Sequence, residues 1–423
     1  MYKRIVLDNG LRIILAPKAE SQAVTVLVLV EAGSKYETKE INGLSHFLEH
    51  MCFKGTEKRP KAIDISQELD AIGAEYNAFT GQEYTGYYAK VEKKHVEKIL
   101  EVVSDIYLNS TFPEKEIEKE RGVIIEEINM YEDLPMRRVG ELFTTLLYGD
   151  QPAGWDIAGR KEVIKVLKRD DFINYREKHY VAKGTAVIIA GNFNEEEIVS
   201  RVKEKFSSVS LDKKGGKEKT TEEQKEPKAM VYNKKSDQTH LIVGVRAFSI
   251  FDERRKALSV ISEVLGGGMS SRLFQKVRDE LGAAYYVRAE ADLFTDHGYF
   301  GVAAGIDNKR IKEVTEAILG EFRKLKEEEV PETELNKVRD RISGKQAISL
   351  ETSDDLAEFF GIQEVLQKEI ETPEEMVEEI RKVGQKEIKE LANEIFKEEN
   401  LNMALIGPFE KDFEEEIKGV LKL

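Results

Sequence analysis

One stretch of this 423-residue chain appears twice. Pro113-Glu114-Lys115-Glu116-Ile117-Glu118-Lys119-Glu120-Arg121 corresponds to Pro331-Glu332-Thr333-Glu334-Leu335-Asn336-Lys337-Val338-Arg339, 218 residues later. Leu44-Ser45-His46-Phe47-Leu48-Glu49-His50 likewise corresponds to Leu258-Ser259-Val260-Ile261-Ser262-Glu263-Val264, 214 residues later. Two copies of one plan predict a duplicated domain. Length agrees, because 423 residues exceed one ordinary core and suit two of about 200 each. Residues 211–228 are nearly free of apolar side chains, so ordering them gains little burial. The sequence therefore predicts an N-terminal domain over 1–210, a polar linker over 211–228 and a C-terminal domain over 229–423.

Each copy reads as strands followed by helices, which predicts an α+β fold. Tyr2–Val6 and Ile13–Leu15 flank an Asn9-Gly10 turn and form a hairpin. The β-branched run Val24–Val30 predicts a buried strand. Residues 63–73 suit a short amphipathic helix, and the alternating, aromatic stretch 75–91 suits two paired strands. His95–Leu108 is helical by period, and Pro113 opens the next helix. The region 135–180 is mostly helical, and Thr185–Ala190 is a strand.

The chemistry concentrates in His46-x-x-Glu49-His50. On a helix these three side chains share one face. Two imidazoles one turn apart can hold one metal ion, with a carboxylate beside them to accept a proton. The order is the reverse of the commoner His-Glu-x-x-His. The second copy replaces both histidines with Val260 and Val264, so the first copy is the expected site. A zinc site for hydrolysis takes three protein ligands and leaves one position open. The helix after Pro113 offers Glu120 and Glu127, seven apart and on one face, with Glu126 turned roughly 100 degrees away. Helical geometry alone leaves Glu120 and Glu127 as equal candidates for the third ligand.

His46-x-x-Glu49-His50, 76 intervening residues, and Glu127 within Arg121-Gly-Val-Ile-Ile-Glu-Glu-Ile together resemble the insulinase, or pitrilysin, family of zinc peptidases. The likeness is strongest to the β-type subunits of mitochondrial processing peptidases and their bacterial relatives. It extends to Asn9-Gly10-Leu11-Arg12, Asn77-Ala78-Phe79-Thr80, His179-Tyr180 and Ala190-Gly191-Asn192-Phe193, so it spans nearly the whole chain. The resemblance implies that His46, His50 and Glu127 bind one zinc ion per chain. It implies that Glu49 is the base activating the zinc-bound water, and that Glu120 orients a ligand histidine. Arg278 and Tyr285, seven apart, match a family pair that holds substrate near the metal, with Tyr286 as the rival for the tyrosine role. Asn77, Ala78 and Phe79 match a strand to which an extended peptide adds, Phe79 lining a side-chain pocket.

The resemblance further implies an endopeptidase that encloses peptides or unfolded segments in a chamber of four such domains. One chain supplies half of that chamber. The expected assembly is a homodimer, with a heterodimer of related chains as the variant. The competing function is a non-catalytic assembly or peptide-binding subunit of a processing complex. A net charge of −15 argues against nucleic acid as a partner. The single cysteine, Cys52, excludes an internal disulfide and reads as a small core residue. No apolar run approaches the roughly 20 residues of a membrane span. The expected location is the cytoplasm, without membrane association.

Overall fold

The computed structural model describes residues 2–423. The fold is α+β and contains two sheets. The first has six strands: β1 (Lys3–Val6), β2 (Arg12–Pro17), β3 (Ala23–Val30), β4 (Glu75–Thr80), β5 (Thr85–Glu92) and β6 (Thr185–Gly191). Their spatial order is β1-β2-β6-β3-β5-β4. The second has five: β7 (Lys228–Asn233), β8 (Gln238–Ala247), β9 (Ala284–Leu293), β10 (Gly298–Asp307) and β11 (Asn402–Gly407), ordered β7-β11-β8-β10-β9. Each sheet is antiparallel except for one pair, β2 with β6 and β7 with β11. Removing β1 makes the two orders superimpose strand for strand, so the internal repeat is a repeat of topology.

The hairpin around Asn9-Gly10 is present, with Val6 opposite Arg12 and Gly10 at φ +87°. β3 lies mid-sheet and is buried almost throughout, as its continuous β-branched run requires. Val24, Val26, Val28 and Val30 face one core, and Leu27 and Leu29 face another. β4 is an edge strand.

The helices used below are α1 (Leu44–Cys52), α2 (Val96–Asn109), α3 (Glu114–Glu132), α4 (Pro135–Tyr148), α5 (Arg169–His179), α6 (Arg255–Gly266), α7 (Glu332–Ser349) and α8 (Ser353–Leu366). The chain forms two compact units, and neither is a continuous half. The first comprises Met1–Ile128, Asp156–Glu218 and Ala347–Thr372; the second comprises Asn129–Trp155, Lys219–Gln346 and Pro373–Leu423. α8 therefore belongs to the first unit, where Ala357, Phe360 and Val365 cover Ile14, Leu27, Leu29 and Ile188. α4 belongs to the second, where Val139, Phe143 and Leu147 cover Ala404 and Ile406. The two helices start 218 residues apart, so they are the same element of the repeat, exchanged between copies.

Two features seat α8. Gly361 has no side chain where a Cβ would come within 2.7 Å of Leu29. Glu364, fully buried, accepts two hydrogen bonds from Arg4 at 2.7 and 2.9 Å and lies 3.2 Å from Arg12 Nε. In the stretch 211–228, ordering comes from charge. Lys214 pairs with Glu31 and Lys217 with Glu83 in the first unit. The Thr220 amide donates to Asp296 in the second, at 2.9 Å.

Candidate metal centre

α1 buries Leu44, Phe47, Leu48, Met51 and Cys52, an i, i+3, i+4 stripe against the core. That stripe turns His46 and His50 toward α3. Gly43 begins the helix at φ +97°, where an added Cβ would meet the Ala158 carbonyl oxygen at 2.7 Å. No side chain of the first residue caps the helix. Instead the buried Glu37 carboxylate accepts from the amides of Gly43 (2.8 Å) and Ser45 (2.6 Å) and from Asn42 Nδ2 (3.1 Å). A carboxylate there satisfies orphan N–H groups and faces the positive end of the helix dipole. Burial pushes Glu37 up to about 7, while its backbone and side-chain donors pull the other way.

α3 buries Ile117, Glu120, Ile124 and Ile128. Glu127 Oε2 lies 3.6 Å from His46 Nε2 and 3.5 Å from His50 Nε2. The three ligand atoms all fall within 4.8 Å of one another, the one such group among the described residues. The residues fit zinc. Bonds of about 2.0–2.1 Å in a tetrahedron place ligand atoms about 3.3 Å apart, close to the two Glu127 separations. Two imidazoles and one carboxylate also leave a fourth position for solvent or substrate.

Glu120 takes the other role. Its Oε1 lies 2.9 Å from His50 Nδ1 and its Oε2 lies 2.7 Å from Lys54 Nζ. Burial raises the Glu120 carboxyl, but the bonds to His50 and Lys54 outweigh burial and hold it below the ordinary range. An ionised Glu120 accepts the Nδ1 proton of His50, which leaves Nε2 as the metal-facing nitrogen. Geometry thus separates the two glutamates that helical spacing could not.

Glu49 is buried at the side of the site. Burial pushes its carboxyl above the ordinary range, and the Thr80 hydroxyl, donating to Oε2, partly offsets this. Thr80 ends the edge strand β4, which carries Asn77, Ala78 and Phe79. Tyr76, Ala78 and Thr80 face α1, whereas Phe79 turns to the opposite face of the sheet. There its ring packs near Tyr84 and Tyr88 and fills the space left by Gly86.

In the second unit, Val260 and Val264 of α6 are fully buried in the core. Glu263, the counterpart of Glu49, pairs with Arg341 and lies 3.7 Å from Lys345. Lys345 is the counterpart of Glu127, so one cation on α7 stands where the first unit has its carboxylate metal ligand. Arg278 lies in a π-helical turn, Phe274–Glu280, with its guanidinium 5.7 Å from the Tyr285 ring. Tyr285 is 73% exposed. Tyr286 is half-buried and bonds His240 Nδ1 at 3.1 Å, which occupies its hydroxyl. Of the two, Tyr285 is the one open to a ligand. Cys52 is buried beside the Tyr87 hydroxyl, at 3.5 Å. Sequence reasoning missed Glu37, Lys54 and Thr80. Lys54 carried a weak signal, four residues past His50; Thr80 closes the Asn77-Ala78-Phe79-Thr80 stretch, but its bond to Glu49 acts across elements, and Glu37 carried none.

Residues 12–161 match the family described as Insulinase (Peptidase family M16), and residues 167–342 match the Peptidase M16 inactive domain. The first match contains His46, Glu49, His50, Glu120 and Glu127; the second contains Arg278 and Tyr285. An uncharacterized zinc protease of Bacillus subtilis is 34% identical over 96% of this chain and 98% of its own length. Another, from Streptomyces coelicolor, is 32% identical over 96% and 89%. In fold, the chain resembles a protease from Helicobacter pylori, with TM-score 0.91 at 24% identity over 96% of this chain and 99% of that one.

Proposed function

The chain belongs to the insulinase family of peptidases, and from that premise we propose that it is a zinc-dependent endopeptidase acting on peptides or unfolded segments. The observation that carries this reading is the convergence of His46, His50 and Glu127. Zinc, when bound, supplies a Lewis acid that acidifies water and polarises the scissile carbonyl. Glu49 takes the proton of the attacking water and passes it to the leaving amine. Glu120, kept ionised by its bonds to His50 and Lys54, holds His50 in its ligating tautomer. Arg278 pairs with a peptide carbonyl or carboxylate, and Tyr285 steadies the developing oxyanion.

The same proposal includes assembly. Family members enclose substrate with four units of this kind, so two copies of this chain complete the chamber, with Arg278 and Tyr285 serving the site of the other protomer. Mixing Glu49→Gln and Arg278→Ala chains tests this: mixed dimers regain activity at one site if the two residues act across protomers. A cytoplasmic location belongs to the proposal too. Among the described residues no helix is long and apolar enough to cross a membrane, and cell fractionation checks the rest.

Metal analysis of the purified protein and sequencing of products from a mixed peptide pool test the central claim. One zinc per chain and internal cleavage are expected. Glu49→Gln should retain zinc and lose about 10²–10⁴-fold in kcat. Equal cleavage by that variant would overturn the reading.

A further inference from the structure

Glu49 is a buried carboxylate, and Thr80 is its one hydrogen-bond donor among the described residues. A buried carboxylate with a single donor has its orientation set by that donor, since losing the bond leaves an acceptor oxygen unsatisfied. The bond engages Oε2 and leaves Oε1 without a hydrogen-bond donor among the described residues. Thr80 is also the last residue of β4, an edge strand paired only to β5. The outer rim of an edge strand offers unpaired backbone groups to an added extended chain. Alternation along β4 puts Thr80 on the face toward α1, where Glu49 resides, while its backbone remains part of the edge. One residue therefore joins two parts of the site, the strand edge and the base.

We propose that Thr80 is a positioning residue for peptide hydrolysis: its hydroxyl holds Glu49 in one orientation, so the strand that seats the substrate backbone also aims the base. This rests on the peptidase reading. The methyl group of threonine is dispensable for the role and the hydroxyl is not. Thr80→Ser should keep the function and Thr80→Val, of the same shape, should lose it.

The test uses the full-length, zinc-loaded protein and one peptide from the cleaved pool. Thr80→Val should lower kcat about 10- to 100-fold, the scale of a misaimed catalytic group, with KM within twofold. Thr80→Ser should stay within threefold of the parent. Thr80→Val added to Glu49→Gln should produce no further loss, because the hydroxyl acts through that carboxylate. A second readout needs no turnover. A phosphinic analogue of the peptide, shaped like the tetrahedral state, should bind Thr80→Val at least tenfold more weakly. The plain peptide, titrated on zinc-free protein, should bind it as it binds the parent. A Thr80→Val kcat within twofold of the parent overturns the proposal. So does a Thr80→Ser variant as impaired as the valine, or a parallel loss of plain-peptide affinity, which marks a strand defect. If the zinc-loaded parent cleaves nothing, the peptidase reading fails and this proposal falls with it; a parent that cleaves alongside an unimpaired Thr80→Val overturns the Thr80 role alone.

Discussion

His179 shows how one buried residue sets acid stability. Its ring is fully buried between Tyr36 and Tyr175, and neither nitrogen has a hydrogen-bond partner. Burial, with Lys178 and Lys214 nearby, pushes the imidazole down to about 4. Above pH 6.5 both folded and unfolded chains keep it neutral, so nothing is lost. As pH falls from 6.5 to 4 the unfolded chain takes up a proton that the folded one refuses, and stability drops. The loss approaches about 3 kcal/mol by pH 4. Thermal melts across that window should slope less for His179→Gln, which does not titrate. Lys54 acts on the metal centre instead. Lys54→Met removes the cation that holds Glu120 ionised beside His50. Zinc affinity should fall about 10- to 100-fold in chelator competition, with the fold retained.

At the scale of elements, α1 depends on a cap from outside itself. Glu37→Ala strips the acceptor from the Gly43 and Ser45 amides at once. A lost cap plus a buried unsatisfied donor amounts to about 3 kcal/mol, measurable by urea unfolding. Zinc affinity should fall with it, because His46 lies in the first turn of that helix. Much of the element pattern was legible. The β-branched run Val24–Val30, the Asn9-Gly10 hairpin and the apolar stripe of α1 are local signals, and each forms the element expected of it. The edge position of β4 was legible only through family likeness. Strand alternation sends the Phe79 ring to the face opposite Thr80, away from the base. The choice between Glu120 and Glu127 was closed to helical periodicity, because residues seven apart share a face and only a partner helix distinguishes them.

At the scale of the whole molecule, the exchange of α4 and α8 makes the two units interdependent. A fragment of residues 1–210 lacks Ala357, Phe360 and Val365, so Ile14, Leu27, Leu29 and Ile188 lose their cover. A fragment of residues 229–423 lacks Val139, Phe143 and Leu147 over Ala404 and Ile406. Each expressed alone should bind hydrophobic dyes and aggregate, since an uncovered sheet face exposes apolar area. Co-expressed, the fragments should yield a soluble complex, read by size-exclusion chromatography and circular dichroism. The repeat, the two-copy α+β plan and the histidine pair of the first copy follow from sequence alone, because periodicity and spacing are written locally. The sheet that each exchanged helix covers, the glutamate that reaches the imidazoles, and the hydroxyl that aims Glu49 were decided by the tertiary structure. Those facts depend on distances between residues 31 to 351 positions apart, which no local pattern encodes.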